Sequence, residues 1–185
     1  MKKLLIALSV MLTSILSTAQ TVAVDVDRVY NRQYKIYGDA HWLRVNNTVD
    51  GINYGVLSRT TKYDTGLGLW NNLEGSVGKT YDIGLPFKIS PFVALGYDDG
   101  RNGAVSADFW YTRVGVGTGF NVGPGRLNLG VNTRVNFNQS NPTQDIVSVV
   151  YSVPMTEKLS INLRVINSYG TIAEDYRGVG LTYRF

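Results

Sequence analysis

The sequence contains no cysteine and a single histidine, His41. Without cysteine there is no disulfide framework and no thiolate to act as nucleophile or metal ligand. One histidine without partners at ligand spacing gives no metal-binding motif either, so neither a metal nor another cofactor is expected. Acids and bases nearly cancel, with Lys and Arg numbering 18 and Asp and Glu 14. Without Lys2 and Lys3 at the amino terminus the balance is 16 against 14. The pI of 9.3 therefore overstates the basic character, and no nucleic-acid partner is expected. After residue 19 no apolar run approaches the roughly 20 residues of a membrane-spanning helix, which excludes a helical membrane protein.

Met1-Lys2-Lys3 is a short basic start, and Leu4 to Leu16 is apolar apart from Ser9, Thr13 and Ser14. Ser17-Thr18-Ala19 then supplies small residues. This pattern predicts a secretory signal peptide over residues 1–19, cleaved between Ala19 and Gln20, followed by one domain over 20–185. An exported chain without disulfides must be stabilised by a core or by a closed hydrogen-bonded sheet in lipid.

From Thr21 onward the periodicity is that of strands. Twenty glycines and recurrent Asn/Asp/Gly clusters punctuate short alternating runs. Val22, Val24 and Val26 alternate with Ala23, Asp25 and Asp27. Over 39–47 the register is open, because Leu43 and Val45 suggest one outer face and Trp42 the other. The clearest run places Leu127, Leu129, Val131, Val135 and Phe137 outward and Asn128, Gly130, Asn132, Arg134 and Asn136 inward. Pro91, which cannot donate to a ladder, predicts a bulge or a missing bond in its strand.

The last nine residues, Arg177 to Phe185, put Val179, Leu181, Tyr183 and Phe185 on one face and Gly178, Gly180, Thr182 and Arg184 on the other. Gly180, Tyr183 and Phe185 resemble the carboxy-terminal insertion signal of bacterial outer-membrane β-barrels; Gly178 stands where those proteins more often carry a polar residue. The architecture is similar to that of the compact barrels of the opacity and outer-membrane-protein-X kind. Alternation alone also fits a soluble sandwich or a lipocalin-like barrel. The aromatics favour the membrane: Trp110 and Phe120, and likewise Phe87 and Tyr97, stand ten positions apart. At about 3.3 Å per residue and a tilt near 40°, that separation rises roughly 25 Å, the height of a lipid-facing band.

The expected fold is thus all-β, an up-and-down antiparallel transmembrane β-barrel in the bacterial outer membrane. Ten strands are favoured, with eight as the alternative if residues 20–50 stayed outside it. Short outer loops are expected at 31–38, 60–65, 98–106, 139–144 and 169–175. By parity Arg59, Lys88, Arg113, Arg134, Arg164 and Arg184 point inward against Asp25, Asp27, Glu74 and Asp98, with Trp70, Phe92 and Tyr111 adding bulk. The candidate interior network is Arg59, Glu74, Lys88, Arg113, Arg134 and Arg164. If these residues pair, they fill the bore of a structural or interaction protein; if not, they line a narrow anion-preferring pore. A third reading, a lipid-modifying enzyme using His41 with Asp39 on the same face, lacks local acid–base partners, and Asp98-Asp99-Gly100 is also turn chemistry. No enzyme activity is expected. The resemblance implies outer-membrane lipid and lipopolysaccharide, the barrel-assembly machinery and periplasmic chaperones as partners.

Overall fold

The computed structural model describes residues 20–64, 68–84, 87–102, 105–137, 143–170 and 173–185. The expected signal peptide over 1–19 lies outside these residues. The strands are β1 (Thr21–Asn31), β2 (Ile36–Val49), β3 (Ile52–Tyr63), β4 (Leu69–Lys79), β5 (Tyr81–Asp82), β6 (Lys88–Asn102), β7 (Val105–Val122), β8 (Gly125–Asn136), β9 (Thr143–Pro154), β10 (Leu159–Gly170) and β11 (Glu174–Arg184). Each long strand pairs antiparallel with its neighbours in sequence, and β1 pairs with β11 from Thr21–Arg184 to Asn31–Glu174. The result is a closed barrel of ten long strands, with the two-residue β5 completing the edge of β4.

That small interruption has a covalent cause. The β4–β6 ladder runs to Gly78–Phe92 and resumes at Tyr81–Ile89 through β5. Pro91 lies in the gap, where its missing N–H removes a ladder bond, and Thr80 Oγ1 and Ser90 Oγ lie 2.9 Å apart beside it. Asp50 and Gly51 join β2 to β3 with φ of 51° and 76°. Two consecutive positive φ values make the tight hairpin turn whose twist matches that of its strands.

Followed from Asn31 to Glu174 and on round to Thr48 of β2, the pairing returns to β1 about twelve residues from its start, which in ten strands means a tilt of roughly 40°. The lower end of the barrel carries Thr21, the Asp50-Gly51 turn and Arg184; the upper end carries Asn31, Tyr63 and Glu174.

Residues 21–49, whose place decided between eight and ten strands, form β1 and β2. Most expected outer loops are shorter than the sequence suggests. β3 continues to Tyr63, β6 to Asn102 and β10 to Gly170, while β2 begins at Ile36 and β11 at Glu174. Polar and glycine-rich stretches read as turns, but near the upper end their inward side chains are buried against one another. Asp98 and Glu174 are examples, 2% and 6% exposed.

The two faces are inverted relative to a soluble barrel. Val24, Leu95, Val114, Val131, Leu163 and Val179 point outward and are about half exposed or more, whereas Asp25, Asp27, Glu74 and Asp98 point inward and are buried. So continuous an apolar girdle is far larger than a soluble monomer tolerates. Aromatic contacts mark its two edges: Tyr30–Tyr37 and Tyr97–Trp110 lie above, with ring centroids 4.8 Å and 5.2 Å apart, and Tyr183–Phe185 below at 5.1 Å.

If the girdle meets hydrocarbon, Val114→Arg should lower the unfolding free energy in lipid vesicles by about 2–4 kcal/mol, the cost of a cation at the bilayer midplane. Guanidinium titration followed by tryptophan fluorescence reads this, and an unchanged midpoint would mean that the position faces water.

Candidate functional site

The inward side chains meet in two connected layers. In the first, Asp25 lies on β1 with Arg44 of β2 on one side and Arg164 of β10 on the other. Arg44 donates to Asp25 Oδ2 from Nε at 3.1 Å and Nη2 at 2.7 Å, and Arg164 Nη1 pairs with the same oxygen at 2.8 Å. Asn162 Nδ2 donates to the other oxygen at 3.5 Å. Asp27, one step up, lies 3.4 Å from Arg164 Nη2 without hydrogen-bonding geometry. Trp42 covers this group, with the Arg164 guanidinium 4.6 Å from its ring centroid.

Room for these carboxylates comes from the closing strand. A Cβ at Gly180 would collide with the Asp25 carboxyl group, and one at Gly178 with Asp27 and the backbone of Val26. The departure of Gly178 from the polar residue usual at its place thus has a steric cause: Asp27 occupies the space.

The second layer crosses the bore between strands that are not ladder neighbours. Glu74 of β4 accepts from Tyr111 Oη at 2.9 Å and from Arg113 Nη2, both on β7. Arg134 of β8 donates to Asp98 of β6 and, through Nε, to Asn136 at 2.8 Å; its guanidinium stacks 3.7 Å from the Tyr111 ring centroid. Arg59 of β3 donates to Tyr176 Oη of β11 at 2.9 Å and lies 3.7 Å from Asp98. Above it, Glu174 accepts from Tyr63 Oη of β3, from Tyr176 Oη at 2.5 Å and from Asn31 Nδ2 at 3.4 Å. Val29, Ala40, Tyr63 and Tyr176 make an apolar core there, with Ile36, Trp42, Trp70 and Ile166 packed against it.

Among the described residues, this part of the bore holds five arginines against five carboxylates. Burying a charge costs several kcal/mol unless it is paired, so balance is the condition for filling a bore this way.

Arg59, Glu74, Arg113, Arg134 and Arg164 all belong to the network. Lys88 does not: it sits at the lower rim, 3.6 Å from Asp82, with both side chains more than half exposed. Its parity is inward, but three residues before Pro91 the strand has already left the packed bore. Arg184 is likewise exposed at the rim. Arg44, Tyr63, Glu174 and Tyr176 were not anticipated. Arg44 lay in the strand of open register, and Tyr63 and Glu174 in expected loops; the i, i+2 spacing of Trp42, Arg44 and Asn46 was the available signal.

His41 and Asp39 do share a face, but it is the outer one. His41 stands opposite Val26 and Thr60, and the Asp39 carboxylate accepts from Arg28 at 3.0 Å. No group of three or more His, Cys, Asp or Glu side chains with metal-ligand geometry occurs among the described residues.

Arg164→Met should cost about 3–5 kcal/mol of stability, because it leaves Asp27 buried without its partner. Adding Asp27→Asn should restore much of the loss, whereas independent sites would give additive losses. Chemical denaturation of the refolded single and double variants reads the difference.

No family model and no curated protein matches the chain. Solved structures do. Neisserial surface protein A (NspA) matches with a TM-score of 0.50 and 11% identity, over 89% of this chain and 96% of that one. The β domain of the Bordetella autotransporter BrkA matches with a TM-score of 0.51 and 12% identity, over 90% and 99%. The NanC porin matches with a TM-score of 0.50 and 8% identity, over 88% and 100%. The chain thus shares the closed antiparallel barrel fold of these outer-membrane proteins, with ten long strands, an apolar exterior and a charged bore.

Proposed function

We propose that the protein is a small integral barrel of the bacterial outer membrane, of structural or interaction type, whose bore is sealed rather than conducting. The supporting observation is the cross-bore layer. Glu174, Tyr63, Tyr176, Arg59, Asp98 and Arg134 bridge β3, β6, β8 and β11 through side chains alone. A permeating ion would have to break several mutually partnered, buried charges at once, and each unpaired charge is costly. The upper end, with its short connections, faces outward in this reading, and the lower end faces the periplasm. Lipid and lipopolysaccharide meet the apolar girdle. The assembly machinery and periplasmic chaperones handle the chain before insertion, with Gly180, Tyr183 and Phe185 as the insertion signal.

In planar bilayers the refolded protein should give no stable channels. The double variant Tyr63→Ala/Tyr176→Ala, which removes two rings and two donors to Glu174, should conduct. Stable anion-selective channels from the unaltered protein would replace the sealed reading with that of a narrow pore.

A further inference from the structure

Burial inside the barrel is not uniform. Toward the upper end the inward side chains Asn31, Tyr63, Asp98, Asn136 and Glu174 are all buried. Toward the lower end the inward positions, among them Asn46, Leu57, Ser76, Phe92, Ser148 and Val150, are only partly buried or exposed. A cavity of about 250 Å³ begins beneath the plug and is walled by Asn46, Ser76, Asn132, Ser148 and the arginines. A second space of about 330 Å³ shares Asn46, Gly55 and Ser76 with it and continues past Thr48, Asn53 and Ser90. Together they form a blind vestibule with its mouth at the lower end.

Although the bore is balanced in charge, the vestibule is not lined evenly. Of the carboxylates, Asp25 and Asp98 lie behind and Glu74 stands in the wall beside Arg113, all three with side chains no more than 5% exposed. Arg44, Arg59 and Arg113 stand in front, 27%, 15% and 21% exposed. A guanidinium carries five N–H donors in a fixed fork, more than one carboxylate can accept. Among the described residues, the buried Nε–H groups of Arg59, Arg113 and Arg164, all three lining residues, have no hydrogen-bond acceptor, and the Arg164 side chain is only 2% exposed.

We propose that this vestibule is a binding site for a small phosphorylated molecule entering from the lower end. Its phosphate would accept from the guanidinium groups of Arg44, Arg59 and Arg113, and its polar remainder would meet Asn46, Ser76, Asn132 and Ser148. Several convergent guanidinium groups suit a dianion with three acceptor oxygens better than a single carboxylate. The proposal goes beyond the sealed reading and uses it only in giving the vestibule one mouth.

The test is calorimetric titration of the refolded barrel in detergent micelles with inorganic phosphate at low ionic strength. Saturable binding is expected, weakened about tenfold by Arg113→Gln, as for losing one charge-assisted hydrogen bond. Ser76→Phe, which narrows the vestibule without touching a charge, should weaken it at least as much, and heat-modifiable gel mobility checks that both variants fold. No saturable heat with the unaltered protein, or an unchanged affinity in Ser76→Phe, overturns the site. Acetate binding as tightly as phosphate overturns the assignment to phosphate. Bilayer recording of the same preparations separates the two readings: a conducting barrel that still binds phosphate keeps the site and loses only the seal.

Discussion

The pairing of β1 with β11 is the constraint on which the rest of the structure depends. In hydrocarbon an open sheet edge leaves a row of N–H and C=O groups without partners, each costing several kcal/mol, so a spanning sheet must close on itself. Eleven consecutive residue pairs, from Thr21–Arg184 to Asn31–Glu174, make that closure here. It also sets the interior. Asp25 and Asp27 fall against Gly180 and Gly178, where no side chain competes for their space. Shifting this register by one residue would turn both carboxylates outward and Val24 and Val26 into the bore.

Closure with a stagger of about twelve residues leaves a bore too wide for the strand side chains to fill by apolar packing alone. The chain fills it with arginines from β2, β3, β7, β8 and β10 against carboxylates from β1, β4, β6 and β11. Arg113 and Arg134 stand directly opposite each other across the β7–β8 ladder, an arrangement unfavourable for two cations in isolation. Each is instead neutralised across the bore, by Glu74 and by Asp98. Buried ion pairs of this kind are weak evidence for net stability. Their effect is on specificity, because each pair requires one register between strands that are ladder neighbours or one strand apart.

The fold was legible in the sequence because its two signals are local. Period-two alternation and turn chemistry marked the strands, and Pro91 marked the break between the β4–β6 and β5–β6 ladders. The inward set was legible wherever alternation was clean, as for Arg113, Arg134 and Arg164. It failed at three kinds of place. On β2 the face of Arg44 was hidden because Trp42 and Leu43 are both large and apolar. At the upper end Tyr63 and Glu174 resembled loop residues, since a strand outside the apolar girdle no longer needs alternation on its outer face. At the lower rim Lys88 kept inward parity but had nothing left to pair with inside. For His41, alternation put it on one face with Asp39, and its register with Val26 and Thr60 makes that face the outer one.

The closure itself can be tested without disturbing the charges. The chain has no native cysteine, and Val24 and Leu181 are directly paired on the outer face of β1 and β11. Paired residues bring their Cα atoms within about 4.5–5.5 Å, inside disulfide range, while a residue two strands away is roughly 10 Å distant. Oxidation of folded Val24→Cys/Leu181→Cys should therefore cross-link the termini, and Val24→Cys/Leu163→Cys should not, as read by gel mobility of the denatured chain with and without reductant. If Leu181→Cys were to cross-link to Val56→Cys on β3 and not to Val24→Cys, the barrel would close over eight strands, and this account of its interior would be wrong.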